Sequence, residues 1–257
     1  MRRLHLPTCL SFCCLLLASN PLSAGPETWS KEARRLIAAC TFETSTLGVM
    51  SFVAADEDKA WRAVGLFSRA LNTQPGDATL WAERAMAYYF LRQMELARRD
   101  CLEATAITPA VGKAWINQAY IVDRMINEDF DAAERSMLRA KAANPDLSEF
   151  HSFAADLYLH WGRPEKAIPE AEAGRRADPA ASVHLINLAH ALLFTGQTDA
   201  ARTLYLQAMQ LPAEQGLTGA DFILHDYQMY LARGRKKYPE IAPFTDWVKR
   251  QRQAPGP

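Results

Sequence analysis

The sequence predicts an all-α chain of stacked helical hairpins, and three observations predict it. Small and large apolar residues recur three and four positions apart, the spacing of one face of a 3.6-residue turn. Prolines punctuate the pattern at a nearly constant interval: Pro75, Pro109, Pro145, Pro179 and Pro212 are 34, 36, 34 and 33 residues apart. Between them, several ladders of small and large positions stay in phase at once, which an alanine-rich bundle with accidental periodicity would not sustain.

The clearest copy is the stretch from Asp77 to Pro109, DATLWAERAMAYYFLRQMELARRDCLEATAITP. Its first helix carries Trp81, Ala85 and Tyr88 on one face, and its second carries Ala97, Cys101 and Ala104. A break near Gln93 separates the two, and Pro109 ends the second by removing a backbone donor. Small residues let the two helices approach, and the large side chains interlock beside the contact. The spacing resembles the tetratricopeptide repeat, whose pattern of Trp, Leu-Gly, Tyr, Ala, Phe and Pro runs over about 34 residues. The resemblance implies a right-handed α-solenoid. One departure is Arg84, where the family prefers Leu; it is expected to weaken that contact while leaving the register intact.

The ladders extend the resemblance along the chain. In the second helices the small position recurs as Ala63, Ala97, Ala133, Ala167 and Ala201, and its later partner as Ala70, Ala104, Ala140, Gly174 and Ala208. In the first helices the small position is Ser51, Ala85, Ala119, Ala155 and Ala189; the large one is Leu47, Trp81, Trp115, His151 and Leu185. Five units follow: 44–77, 78–111, 112–147, 148–181 and 182–215. The first is degenerate at Leu47, Met50 and Ala54. The third gains two residues in its turn, Met125 to Asp129. In the fourth, Pro169 lies deep in a helix that begins near Pro164 and is expected to kink or delay it. Each unit buries its apolar face only against its neighbours, so the array is read as one cooperative rod.

Both ends depart from the repeat. Residues 1–24 read as a secretory signal: Arg2 and Arg3 start it, Leu10 to Ala18 form an apolar run too short to span a bilayer, and Ala24 precedes the expected cut. A soluble exported protein is therefore expected, periplasmic or extracellular, with no integral span in the mature chain. Residues 25–43 supply a capping helix (Glu27 to Cys40) with Trp29, Ala33, Leu36 and Ile37 on one face. Residues 216–257 form a C-terminal helical extension, with one helix over Ala220 to Ala232 and a last one over Pro239 to Arg252. Removing Arg2 and Arg3 leaves 27 basic against 29 acidic residues, and the basic excess near the C-terminus reads as a solvated face, so nucleic acid is not an expected partner. Only Cys40 and Cys101 survive the cut. An oxidising compartment allows them to bond, whereas the helix-packing position of Cys101 suits a free thiol.

No catalytic chemistry is legible. The chain has no nucleophile elbow, phosphate-cradling glycine loop, His-Glu-x-x-His or paired-cysteine motif, so neither an enzyme nor a cofactor is expected. His151 and His184 sit at or near packing positions, while His160 and His190 fall short of the three or four ligands of a metal site. Surface remains. The resemblance places positions 2, 5, 6, 9, 12 and 13 of each unit on the concave face of the first helices. From these the candidate partner-binding set is Asn117, Tyr120, Arg124, Phe153, Asp156, Asn187, His190 and Phe194. Lys113 and Asn117 match the carboxylate-holding pattern of some family members in one unit, but Glu149 and Phe153 break it in the next. The function expected is protein–protein interaction, as a scaffold or assembly factor of the cell envelope; the alternative is a regulatory or substrate-recruiting subunit of an envelope enzyme complex. Either a partner segment or the chain's own C-terminal helices could cover the candidate face. The preferred arrangement has the helix around Phe222 to Leu231 capping the fifth unit and most of the groove open.

Overall fold

The computed structural model describes residues 25–40, 42–44, 50–52, 56–145, 148–211, 218–232 and 238–253. The expected signal and its cleavage site, most of the linker after Leu211 and part of the basic C-terminal run lie outside the described residues. The fold is all-α but for one small sheet, β1 (Phe42–Thr44) beside β2 (Met50–Phe52). It divides into two compact units, the first ending at Pro145 and the second containing every helix from Ser148 onward.

In the first unit, α1 (Pro26–Ala38) packs along α2 (Glu57–Thr73), and α3 (Ala78–Phe90) along α4 (Met94–Ile107). Then α5 (Gly112–Asn117) runs on into a π-helical stretch (Gln118–Ile126), and both pack on α6 (Phe130–Ala143). The second unit pairs α7 (Ser148–Trp161) with α8 (Pro164–Ala177), α9 (Ser182–Phe194) with α10 (Thr198–Gln210), and α11 (Gly219–Ala232) with α12 (Ile241–Gln253).

The small-residue ladders are where the helices touch. Ala63, Ala97, Ala133, Ala167 and Ala201 are all fully buried, as are Ala70, Ala104, Ala140 and Ala208. The one glycine in that second ladder has a reason. A Cβ on Gly174 would collide with Nδ1 of His184, so the ring of α9 occupies the space that alanine fills elsewhere. Tryptophan and proline are also linked physically. The Trp81 indole N–H donates to the carbonyl of Pro75 at 2.8 Å and that of Trp115 to Pro109 at 3.1 Å, so each of these large residues ties down the turn before it.

The turns inside the hairpins repeat too. Arg92, Gly162 and Gly196 have φ of 60°, 77° and 84°. In each, the following N–H (Gln93, Arg163, Gln197) reaches back five residues, to the carbonyls of Tyr88, Tyr158 and Leu192 at 2.8–2.9 Å. The positive-φ residue's own N–H reaches back three, to Tyr89, Leu159 and Leu193. This pair of bonds is a Schellman cap, which needs one left-handed residue. Glycine takes that conformation without strain, while Arg92 accepts it at a cost.

Three local expectations change. Thr44, the end of β1, and β2 (50–52) are extended where the first helix of unit 44–77 is expected, and α2 packs instead against α1, the helix read as a cap. Phe42 and Thr44 in β1 and Phe52 in β2 are of the β-branched and aromatic types that favour extended backbone over helix. In the third hairpin the two extra residues do not lengthen the turn; they widen the helix into the π stretch, with Glu128 at φ 54° closing it. There Gln118 and Asp123, five apart, face each other: the Gln118 amide donates to Asp123 Oδ1 at 3.0 Å, and Ser136 Oγ donates to Oδ2 at 2.6 Å, all three buried. Finally, α8 starts at Pro164, so the helix is not delayed, and its helical span runs on through Pro169 to Ala177.

Arg84 does not weaken its contact. It is 6% exposed, its Nε and NH2 groups donate to the two oxygens of Asp100 at 2.6 and 2.9 Å, and NH1 donates to Ser68 Oγ at 2.9 Å. The guanidinium also lies 4.7 Å from the Trp81 ring centroid. A buried bidentate pair on α3 and α4, completed from α2, replaces the apolar contact of the family pattern.

His184 is 3% exposed, and its Nδ1 has no hydrogen-bond partner among the described residues. Burial pushes its pKa below the usual 6.5, with nearby His151 adding to the fall and Asp178 opposing it. The unfolded chain therefore binds this proton more tightly than the folded one, so stability is intact above pH 6.5 and is lost as pH falls below it. Thermal melts of the wild type and His184→Phe between about pH 7.5 and 5 should show a smaller acid-side drop in the variant. Equal drops would overturn this account.

Candidate partner-binding face

The repeat pattern assigns eight side chains of the first helices to a partner, and the structure sorts them into three groups. Asn117 is 6% exposed and its amide donates to the carbonyl of Ala82 at 2.8 Å; Asn187 is 4% exposed and donates to that of Ser152 at 3.1 Å. In both cases the acceptor is 35 residues earlier, one repeat away. The asparagine is thus a staple between consecutive first helices, and its amide is spent inside the framework. Arg124 is fully buried, with its guanidinium 4.3 Å from the ring centroid of Tyr120. Each of these three side chains is buried in its own unit.

Tyr120 itself is half-buried, edge-on to Tyr89 at 6.1 Å. In the second unit, Phe153 and Asp156 are also half-buried, and Asp156 Oδ1 lies 3.3 Å from His160 Nε2. These rings and this carboxylate are the part of the candidate set that keeps accessible surface.

His190 and Phe194 belong to a different structure, closed by the C-terminal helices. His190 is fully buried, with Nδ1 2.6 Å from the Tyr205 hydroxyl and Nε2 3.1 Å from Asp226 Oδ2. The Tyr227 hydroxyl donates to that of Tyr205 at 2.9 Å, so the two phenols, the imidazole and the Asp226 carboxylate form one chain of polar contacts. Phe194 stacks on Tyr238 at 3.6 Å, Tyr230 tilts on His160 at 4.6 Å, and the Tyr238 hydroxyl donates to the carbonyl of Leu159 at 2.8 Å. Thus α11 and Tyr238 cover the fifth hairpin's face and reach back to α7. The repeat pattern does not point to Tyr205, Tyr227, Tyr230 and Asp226 as neighbours of His190, nor to Tyr238 as the neighbour of Phe194. One signal for them exists: the position of Tyr205 holds Cys101, Met137 and Ala171 in the three preceding hairpins, and a large phenol there announces a different neighbour.

The chemistry of these groups is structural. Burial pushes the phenols of Tyr205 and Tyr227 above their ordinary range, keeping them protonated as donors. Among the described residues Cys40 and Cys101 are free and buried; burial raises Cys40 to about 11 and Cys101 higher still, so neither offers a thiolate at neutral pH. Among the described residues no group of three or more His, Cys, Asp or Glu could hold a metal ion, and no helix is long and apolar enough to cross a membrane.

A family model of the tetratricopeptide repeat matches residues 185–215, the span of the fifth hairpin from Leu185 onward. The chain has the tetratricopeptide-repeat fold. The tetratricopeptide hairpins also bring it close to solved structures. PilW, described as a widely conserved type IV pilus biogenesis factor, superposes with a TM-score of 0.60 at 15% identity, over 91% of this chain and 94% of that one. Pseudomonas aeruginosa PilF gives 0.57 at 17% identity, over 88% and 93%. A thermophilic tetratricopeptide protein of Thermus thermophilus gives 0.58 at 17% identity, over 72% and 91%. At such identities the likeness is one of fold. In sequence, the chain is 32% identical over 99 residues to the heat-shock cognate co-chaperone sgt12 of Aspergillus fumigatus; the match spans 38% of this chain and 29% of that protein.

Proposed function

We propose that this tetratricopeptide protein is an exported, non-catalytic scaffold or assembly factor of the cell envelope that holds a segment of another protein against its first helices. The fold supports the coarser part of this reading, since tetratricopeptide hairpins are generally protein-interaction modules. The observation that carries the partner contact is made in each unit by itself: Tyr120 in the first and Phe153 in the second are half-buried rings on first helices whose asparagine amides are spent inside. Aromatic anchors of this kind carry much of the energy of peptide recognition. The envelope setting rests on the charged and apolar pattern of residues 1–24.

Crosslinking in the native host, followed by capture and mass spectrometry, tests both parts. The captured chain should begin at or near Gly25 and carry a crosslinked protein partner. Tyr120→Ala and Phe153→Ala should each weaken that partner's binding by about 1–3 kcal/mol while the chain still melts cooperatively. An intact Met1 would remove the export reading, and full affinity in both variants would remove both rings as partner contacts.

A further inference from the structure

The C-terminal ends of α8 and α10 border a cleft within the second unit, about 670 Å³ in volume. Ligand clefts usually run from about 300 to 1,000 Å³. Its apolar lining is the buried Leu185, with Leu211 and Pro179. Arg175 and Arg176, from the last turn of α8, and Gln207 and Gln210, from α10, supply the polar lining, with Glu172 as the single carboxylate among the described lining residues. Gln207 and Gln210 are three apart on a helix and so share a face.

These four side chains make no hydrogen bond or ion pair among the described residues. Other arginines of this unit are engaged: Arg202 with Asp199, Arg252 with Asp221, and Arg163 over the ring of Trp161. Cations in the last turn of a helix do complement its dipole, by roughly 0.3–1 kcal/mol. That explains positive charge at the end of α8. It does not explain two unspent guanidinium groups and two unspent amides around an apolar floor.

We infer that this cleft is a docking site for an acidic, extended peptide segment of a partner protein. Carboxylates of the segment meet Arg175 and Arg176, whose planar forks suit them. An aliphatic side chain lies on Leu185 and Leu211. The carboxamides of Gln207 and Gln210, each both donor and acceptor, satisfy the extended backbone. The site uses neither Tyr120 nor Phe153, and it gives the scaffold a further contact that selects for negative charge.

The test uses the full chain and a fluorescein-labelled octapeptide of alternating glutamate and leucine, read by anisotropy. Saturable binding is expected, weakening at least about tenfold in Arg175→Glu/Arg176→Glu and with added salt, and absent for a lysine–leucine octapeptide. Gln207→Ala/Gln210→Ala should weaken it without changing the charge. All of these positions except Arg175 are exposed and Arg175 is half-buried, so the variants should melt with the wild type. No saturable binding, equal affinity in the arginine variant, or equal binding of the lysine peptide would overturn the assignment. So would loss of octapeptide binding in Tyr120→Ala or Phe153→Ala with retention in the arginine variant. Failure of the cleft leaves capture of a partner through Tyr120 and Phe153 standing, because that experiment reads different residues.

Discussion

Asp100→Ala is expected to destabilise the chain by about 3–5 kcal/mol, the usual cost of leaving a buried cation without its counter-ion. Asp100 is fully buried and takes both short bonds from Arg84, which is itself only 6% exposed. With the carboxylate gone, the guanidinium keeps Ser68 and the face of Trp81, neither of which carries a compensating charge. The double variant Arg84→Leu/Asp100→Leu removes the charge from both sides and should recover most of the loss, since replacing a whole buried pair by apolar groups is often neutral or better. Denaturant melts of the three proteins check this. If Asp100→Ala alone melted like the wild type, the pair would be hydrated and its burial in the structure would be wrong.

That pair also shows where legibility ended. The repeat register, the paired helices and the small-residue ladders could be read because each rests on a spacing, and a spacing survives in one dimension. The partner of Arg84 rests on a meeting of three helices. Asp100 lies sixteen positions after Arg84 and Ser68 sixteen before it, so no local pattern joined them. The same limit applied to the candidate face. The repeat pattern placed Asn117 and Asn187 on the first helices, but whether an amide there is exposed or stapled to the previous repeat depends on a carbonyl 35 residues away. Tyr120 and Phe153 kept surface for the same three-dimensional reason. In the third hairpin, length was legible and its accommodation was not. Two extra residues can lengthen a turn or widen a helix, and the buried bond from Gln118 to Asp123, five residues on, matches the wider helix.

Deleting residues 216–257 should abolish the cooperative transition of the second unit and make the chain aggregate. The segment is part of the core. Ile223 and Tyr227, Tyr230, Tyr238, Ile241, Phe244 and Val248 are each at most 7% exposed, and burying a side chain of this size contributes about 1.5–3 kcal/mol. Deletion also uncovers what they cover: Leu159, His190, Leu193 and Tyr205, all fully buried in the intact chain. His190 would lose Asp226, and Tyr205 would lose the proton that Tyr227 donates. The contact of α11 with α10 is backbone-close as well: a Cβ on Gly219 would collide with the carbonyl oxygen of Ala208. A helix seated this tightly covers the fifth hairpin, so under the proposed function a partner is expected at the first helices near Tyr120 or Phe153 and not at Phe194. Accordingly Phe194→Ala, which removes the ring stacked on Tyr238, should lower stability by roughly 2–4 kcal/mol and leave partner affinity unchanged once the protein is folded. The truncated chain should bind a dye for exposed apolar surface and broaden or lose its melt. A truncated chain that melted as sharply as the wild type and bound the partner more tightly would instead make α11 a removable lid, with His190 and Phe194 as the binding residues beneath it.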